Sequence, residues 1–299
     1  VGSQPVEGTD RRSEHARRTV QGPPVTDELV ARLRAAGCVL AEEEAALLVA
    51  GAPSDDALER LVARRVAGEP LEHVLGWAEF LGLRVAVVPG VFVPRRRTEA
   101  LALEARRLLA ARGPDQRDRD GRAVVVDVCC GSGALGLAVV VAVDVELHAA
   151  DVDPAAAACA RGNLAAVGGV VHEGDLLDAL PHRLRGRVDV LLANVPYVPS
   201  AAVGLLPAEA RDHEPRTALD GGPDGLDVLR RLAAAVPGWL RPGGHVLTET
   251  SDRQAAAAVR VLARTGLATR TVPGEDGVVV VGTALPSTGA DPRVRPSPP

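Results

Sequence analysis

From Ala123 onward, short apolar runs alternate with stretches of helical period. Ala123 to Val128, Val145 to Ala150, Val170 to His172, Val188 to Ala193 and His245 to Thr250 read as strands, being short, rich in Val, Leu or Ala, and bounded by turn residues. Helical spacing runs between them near residues 134 to 142, 154 to 166, 225 to 240 and 252 to 265. Such alternation specifies a mostly parallel sheet with helices on both faces. Two further runs, Leu267 to Val272 and Gly277 to Thr283, are joined by Pro273-Gly274-Glu275-Asp276. That link is too short for a helical crossover, so the pair is expected antiparallel at one edge.

Upstream the pattern is helical. Thr26 reads as an N-cap before Asp27, Glu28, Leu29 and Leu33, with Gly37 as the stop. Ala41 to Ala50 and Ser54 to Ala67 carry two more helices, closed by Gly51 and Gly68. Residues 26 to 76 are thus expected to form a small helical domain that holds the substrate. Residues 77 to 97 are read as a hairpin linker, with Phe80 to Val87 and Val91 to Val93 flanking Pro89-Gly90. Thr98 is expected to cap a helix over Glu99 to Arg112, which opens a larger domain at 98 to 285 with a charged polar loop at 113 to 122. Residues 1 to 25 and 286 to 299 lack apolar periodicity and are expected to be disordered tails.

Composition narrows the function classes. The 299 residues carry a net charge of −5, with no Lys and Arg supplying all 34 basic side chains, and no basic block stands out. Bulk nucleic-acid binding through many phosphate contacts is not favoured. The longest apolar run, Ala134 to Val143, is too short to span a membrane and has no signal-like flank, so a cytoplasmic protein is expected. Cys38, Cys129, Cys130 and Cys159 have neither zinc spacing nor a C-x-x-C, so reduced thiols and no metal site are expected. Only 2% of residues are aromatic, and the single tyrosine is Tyr197.

Candidate chemistry sits at strand ends. In open α/β sheets, ligands bind outside the carboxyl ends of the strands. The first strand of the larger domain ends in Asp127-Val128-Cys129-Cys130-Gly131-Ser132-Gly133, and a helix starts at once. Glycines there let backbone approach a ligand, and the free N–H groups of the helix start bind polar groups. Asp151, ending the second strand, is placed for ribose hydroxyls. Gly131 to Gly136 also fits G-x-G-x-x-G, so a nicotinamide-dependent dehydrogenase has to be weighed. Asp127 argues against it: a carboxylate suits a cation such as a sulfonium better than a pyrophosphate. Asp175, after the third strand, is placed to accept from an adenine amine. Three acids around one adenosyl cation point to S-adenosylmethionine.

With that ligand, Asn194-Val195-Pro196-Tyr197 at the end of the fourth strand has a task. A planar nitrogen that attacks a methyl group needs acceptors for its N–H bonds. The Asn194 side-chain oxygen and the Val195 carbonyl would supply them, while Tyr197 lies against the planar group. Positioning matters more than acid or base here, so no general base is named.

These motifs resemble the HemK-like protein (glutamine-N5) methyltransferases, which modify the Gly-Gly-Gln loop of peptide-chain release factors. The resemblance covers residues 26 to 284 and rests on Gly68 to Gly76, Phe92 to Glu99, the Asp127 glycine loop, Asn194 to Tyr197, and His213-Glu214-Pro215-Arg216-Thr217-Ala218-Leu219-Asp220-Gly221-Gly222. It implies a Rossmann-like α/β fold, a seven-stranded methyltransferase sheet with the last strand antiparallel and a small N-terminal helical domain joined by a β-hairpin. It also implies that Cys129, Cys130, Gly131, Ser132, Gly133, Asp151, Leu176 and Asn194 line the cofactor, and that Asn194 to Tyr197 receive a glutamine amide of a release-factor-like protein. Two positions depart from the family: Val195 stands where Pro is usual, and Cys129 where Gly is usual. Methylation of a nucleic-acid base amine, and cofactor binding without turnover, stay open on the Asn-x-Pro-Tyr motif alone.

Overall fold

The computed structural model describes residues 25 to 112 and 122 to 286. The tails at 1 to 24 and 287 to 299, and the loop at 113 to 121, lie outside the described residues. The chain divides into two compact units between Ala67 and Gly68.

The first unit is a trio of helices, α1 (Asp27–Ala35), α2 (Ala41–Gly51) and α3 (Asp55–Val66). Thr26 and Ser54 cap α1 and α3 through their side-chain oxygens, accepting from Leu29 N–H at 3.2 Å and Ala57 N–H at 3.3 Å. Leu29 and Leu33 of α1, Ala45 and Leu48 of α2, and Leu58 and Val62 of α3 are buried. Arg65 and Glu44 pair across α3 and α2 at 2.6 Å, largely shielded from solvent.

The second unit begins with the short helix α4 (Leu71–Leu75), then β1 (Trp77–Phe80) and β2 (Leu83–Ala86). Its boundary falls before α4 rather than at residue 76, because α4 is tied into this unit: His73 Nε2–H donates to the Val91 carbonyl at 2.9 Å. The hairpin differs from the expectation. Its turn is Leu81-Gly82 and not Pro89-Gly90, and residues 91 to 93 form no strand. Both turn residues have positive φ (50° and 75°), the geometry that a two-residue hairpin turn requires. Thr98 also departs from expectation. Residues 96 to 98 form a 3-10 turn that runs straight into α5 (Glu99–Ala110), so Thr98 has a helical backbone and its hydroxyl caps nothing.

The rest is a single sheet. Its strands are β3 (Ala123–Val128), β4 (Val145–Asp151), β5 (Val170–Glu173), β6 (Val188–Ala193), β7 (Leu240–Thr250), β8 (Ala268–Pro273) and β9 (Val278–Thr283), in the order β5-β4-β3-β6-β7-β9-β8. The first five are parallel, and β9 runs antiparallel between β7 and β8. The final strand therefore inserts inside the edge. Burial explains the order: β9 buries Val279, Val280 and Val281, whereas β8 alternates Thr and Arg and is mostly exposed. β6 is buried throughout despite Asp189, whose carboxylate accepts the Val124 N–H at 2.8 Å and pairs with Arg112 and Arg241.

Helices cover both faces. One apolar layer joins α5, α6 (Ala134–Val140) and α7 (Pro154–Leu164) to the sheet through Leu101, Ala105, Leu135, Val139 and Leu164. The other joins α9 (Asp227–Ala235) and α10 (Asp252–Ala263) through Leu229, Leu232 and Leu262. Between β5 and β6 the crossover consists of 3-10 turns at Leu176–Ala179 and His182–Leu184. A short helix, α8 (Ala208–His213), follows the Asn194 motif. Among the described residues no helix is long and apolar enough to cross a membrane.

Candidate active site

Parallel register sets the site. Val128 lies beside Ala150 in β4 and Ala193 in β6, so the residues that follow all three strands emerge on one rim. A cleft opens there. Its floor comes from Cys129 to Ser132, Asp151 to Asp153, and Asn194 to Val198; its far walls come from Phe92, Pro94 and Arg97 and from Pro215, Thr217, Ala218 and Leu219.

The glycine loop is held by carboxylates. Asp151 Oδ2 accepts the Gly131 N–H at 2.8 Å and its Oδ1 accepts the Asp153 N–H at 3.0 Å. Asp127, fully buried behind the loop, accepts the Gly136 N–H on Oδ2 at 2.9 Å, and its Oδ1 has no partner among the described residues. Burial pushes the Asp127 carboxyl up to about 7; the Gly136 N–H pulls it back, and the Asp151 charge adds to the rise. Asp151 is raised by burial as well, against the pull of the Asp153 and Gly131 N–H groups. Burial and then the carboxylates of Asp151, Asp127 and Asp175 drive the Cys129 thiol far above its usual range, so it is a poor nucleophile. Without a bound cation this pocket holds more negative charge than its surroundings favour.

Of the residues expected around a cofactor, Cys129, Cys130, Gly131, Ser132, Asp151 and Asn194 line the cleft. Asp127, Gly133, Asp175 and Leu176 do not. Asp175 is about half exposed and ion-paired with Arg231 of α9, while Gly133 ends the loop at φ 78° to start α6. All four residues of the Asn194 motif line the cleft; Val195 is buried and Tyr197 is partly buried. Among the described residues, nothing donates to the Asn194 side-chain oxygen or the Val195 carbonyl.

Several contributors were not signalled by the motifs. Asn163 of α7 spans two elements, its Nδ2 donating to Ser132 O at 2.8 Å and to Ala86 O at 2.9 Å, so it fastens the glycine loop to the hairpin. Glu214 accepts the Val93 N–H at 3.2 Å and pairs with Arg95, clasping the two far walls together. Tyr197 Oη–H donates to Glu249 Oε1 at 2.9 Å. A carboxylate near the carboxyl end of a strand, beside the Asn194 strand, was the available signal for Glu249.

The methyltransferase small domain family matches residues 84–209. A release factor glutamine methyltransferase of Geobacter sulfurreducens is 38% identical over 209 residues, covering 69% of each chain. One from Bradyrhizobium diazoefficiens is 32% identical over 295 residues, covering 90% of this chain and 92% of its own. The chain belongs to the release factor glutamine methyltransferase family. Another member, from Streptomyces coelicolor, is 40% identical over 198 residues, covering 65% of this chain and 67% of its own. Membership accounts for the order of motifs along the sheet rim, and it places the chain among the methyltransferase enzymes.

In this family member Cys129 occupies a left-handed backbone position, φ 53°. A side chain there costs about 1–2 kcal/mol, and glycine gives back about 0.5–1 kcal/mol through the freedom of its unfolded chain. Cys129→Gly is therefore expected to raise stability by up to about 1 kcal/mol, read from urea unfolding midpoints; a loss of stability would show that the thiol's packing outweighs the strain.

Asp127 yields a pH prediction. Its folded pKa lies above the unfolded value, so its contribution is complete below about pH 4 and is lost as pH rises through about 7. Asp127→Asn keeps an acceptor for Gly136 and cannot ionise. Its melting temperature without cofactor is expected to gain several degrees on the wild type between about pH 5 and about pH 8. Calorimetry at the two pH values checks this, and a constant offset would rule the group out.

Proposed function

We propose that the cleft binds S-adenosylmethionine and that the enzyme methylates the side-chain amide nitrogen of a glutamine in a peptide-chain release factor. The residues suit this cofactor. Asp151 offers ribose hydroxyls a carboxylate already oriented by two backbone N–H groups, and the buried, half-partnered Asp127 beneath the glycine loop favours a cation above it. Once bound, the cofactor supplies an electrophilic methyl group on a sulfonium. For Asp175 to accept from an adenine amine, its pair with Arg231 has to open or share the carboxylate.

The observation that carries the reading is a pair of acceptors, the Asn194 side-chain oxygen and the Val195 carbonyl, with no donor among the described residues and on residues of the cleft floor. A primary amide has two N–H bonds to satisfy. Accepting both fixes its plane and leaves the nitrogen's remaining face open to the methyl donor, the kind of orientation that lowers a displacement barrier most. Val195 in place of the usual proline keeps the carbonyl. The far walls are chiefly apolar, through Phe92, Pro94, Pro215, Ala218 and Leu219. Two arginines of the first wall segment are engaged: Arg97 with Glu249 and Arg95 with Glu214. Such walls suit a loop of small neutral residues, as in Gly-Gly-Gln, better than a phosphate backbone.

The test is incubation with the cofactor and a release-factor peptide bearing Gly-Gly-Gln, read by mass spectrometry. A one-methyl gain on the glutamine is expected, and none on the peptide with alanine in its place; methyl transfer to nucleic acid alone would overturn the reading. Asn194→Ala is expected to cut kcat/KM for that peptide by at least about 100-fold, with the cofactor Kd changed less than about threefold. Undiminished turnover in this variant would remove the amide clamp.

The helical unit up to Ala67 we assign to gripping the protein substrate. Removing residues 1 to 67 is expected to lower turnover of whole release factor far more than cofactor affinity, measured by calorimetry. A parallel fall in both would make those helices structural only.

A further inference from the structure

Glu249 is a buried carboxylate whose place is set by sheet register. Ala193 of β6 pairs with Thr248 of β7, so Asn194 leaves β6 beside Glu249, which is still within β7 and paired with Val279 of β9. Only 3% of the Glu249 side chain is exposed. Its Oε1 accepts from Tyr197 Oη–H at 2.9 Å and from Arg97 Nε–H at 3.1 Å, while Oε2 has no partner among the described residues. A charge half satisfied in the interior is a cost to the fold, and Glu249 is buried between Thr248 and Thr250 and opposite the buried Val279 of β9.

The same tyrosine is held at its other end. Gln254 Nε2 of α10 donates to the Tyr197 carbonyl at 2.8 Å, and Gly225 lies so close to that carbonyl that no side chain fits between them. Backbone and hydroxyl of Tyr197 are thus pinned independently, which leaves the ring little freedom about either side-chain torsion. Arg97 closes the arrangement: its guanidinium lies 6.0 Å from the ring centroid and it lines the cleft, as Tyr197 does, whereas Glu249 does not.

Resting on the glutamine-methylation reading above, we infer that Glu249 is a positioning residue that sets the plane of the Tyr197 ring against the acceptor amide, with Arg97 as its brace. Glu249 does not touch the cleft, so its effect reaches the acceptor through the tyrosine hydroxyl. A ring fixed in plane restricts rotation of the flat amide stacked on it, and that restriction acts on the acceptor alone. The cofactor side of the cleft, built on Asp151 and the glycine loop, is independent of it.

Two measurements test this. Tyr197 is the chain's single tyrosine, so protein labelled with ring-¹³C tyrosine gives an NMR signal from that ring alone. Glu249→Gln is expected to shift or broaden the signal in the full-length protein, and Glu249→Ala to do so more strongly; an unmoved signal overturns the inference, whatever the activity. In steady-state assays on the Gly-Gly-Gln peptide, Tyr197→Phe and Glu249→Ala are each expected to lower kcat/KM by about 10-fold with Glu249→Gln between them and the wild type. In the Tyr197→Phe background, Glu249→Ala is expected to add less than about twofold, because the two act through one contact. Multiplicative losses, or a cofactor Kd that worsens in step with kcat/KM, would overturn it. A wild-type enzyme that binds cofactor and methylates no glutamine peptide would sink the proposed function, while the NMR comparison still decides the role of Glu249.

Discussion

Parallel pairing of β3 with β4 on one side and β6 on the other is the constraint on which the rest depends. It brings the residues after Val128, Ala150 and Ala193 to a single rim, although they are far apart in the chain. Every strand end carries polar groups that the ladder can no longer satisfy. Here they are met by the end of the neighbouring strand β4: the Cys130 N–H by the Ala150 carbonyl, and the Gly131 N–H by Asp151. The glycine loop is thus shaped by the strand beside it as much as by its own residues.

That shape is electrostatically expensive. Asp127 and Asp151 are both pushed up by burial, and Asp127 has one oxygen with no partner among the described residues. A neutral acceptor at position 127 would keep the Gly136 N–H satisfied without burying a charge. The carboxylates make sense as complements to a cationic ligand, which would relieve their mutual repulsion and restore the charge balance. On the acceptor side the economy is opposite, since the far walls are chiefly apolar and Arg95 and Arg97 beside them are tied to Glu214 and Glu249.

The stretch from His213 to Gly222, one of those that carry the family resemblance, serves mainly as a support. Glu214 joins it to the segment carrying Phe92 and Pro94, and Asp220 gathers Ser200, Arg216 and the Gly222 N–H. Gly221 then approaches the Pro196 carbonyl so closely that an added Cβ would sit 2.6 Å away. The Asn194 turn is therefore held from outside by backbone, which explains how Val195 can replace a stiffer proline without the turn losing its support.

Local signals sufficed for much of this. The period of apolar residues is fixed by the element a segment forms, so the seven strands, the covering helices and the N-cap at Thr26 were legible from the chain alone, as were the motifs at the strand ends. Where a turn or cap signal was taken at face value, the sequence misled: Pro89-Gly90 was read as the hairpin turn that Leu81-Gly82 makes, and Thr98 resembled a cap although a 3-10 turn runs through it into the helix. Only the tertiary structure decided that β9 enters the sheet before β8, that Arg231 takes hold of Asp175, and that Glu249 reaches Tyr197. Each depends on which distant segment lies alongside, and that follows from how two strands or a strand and a helix compete to bury their surfaces, a property no short window of sequence contains.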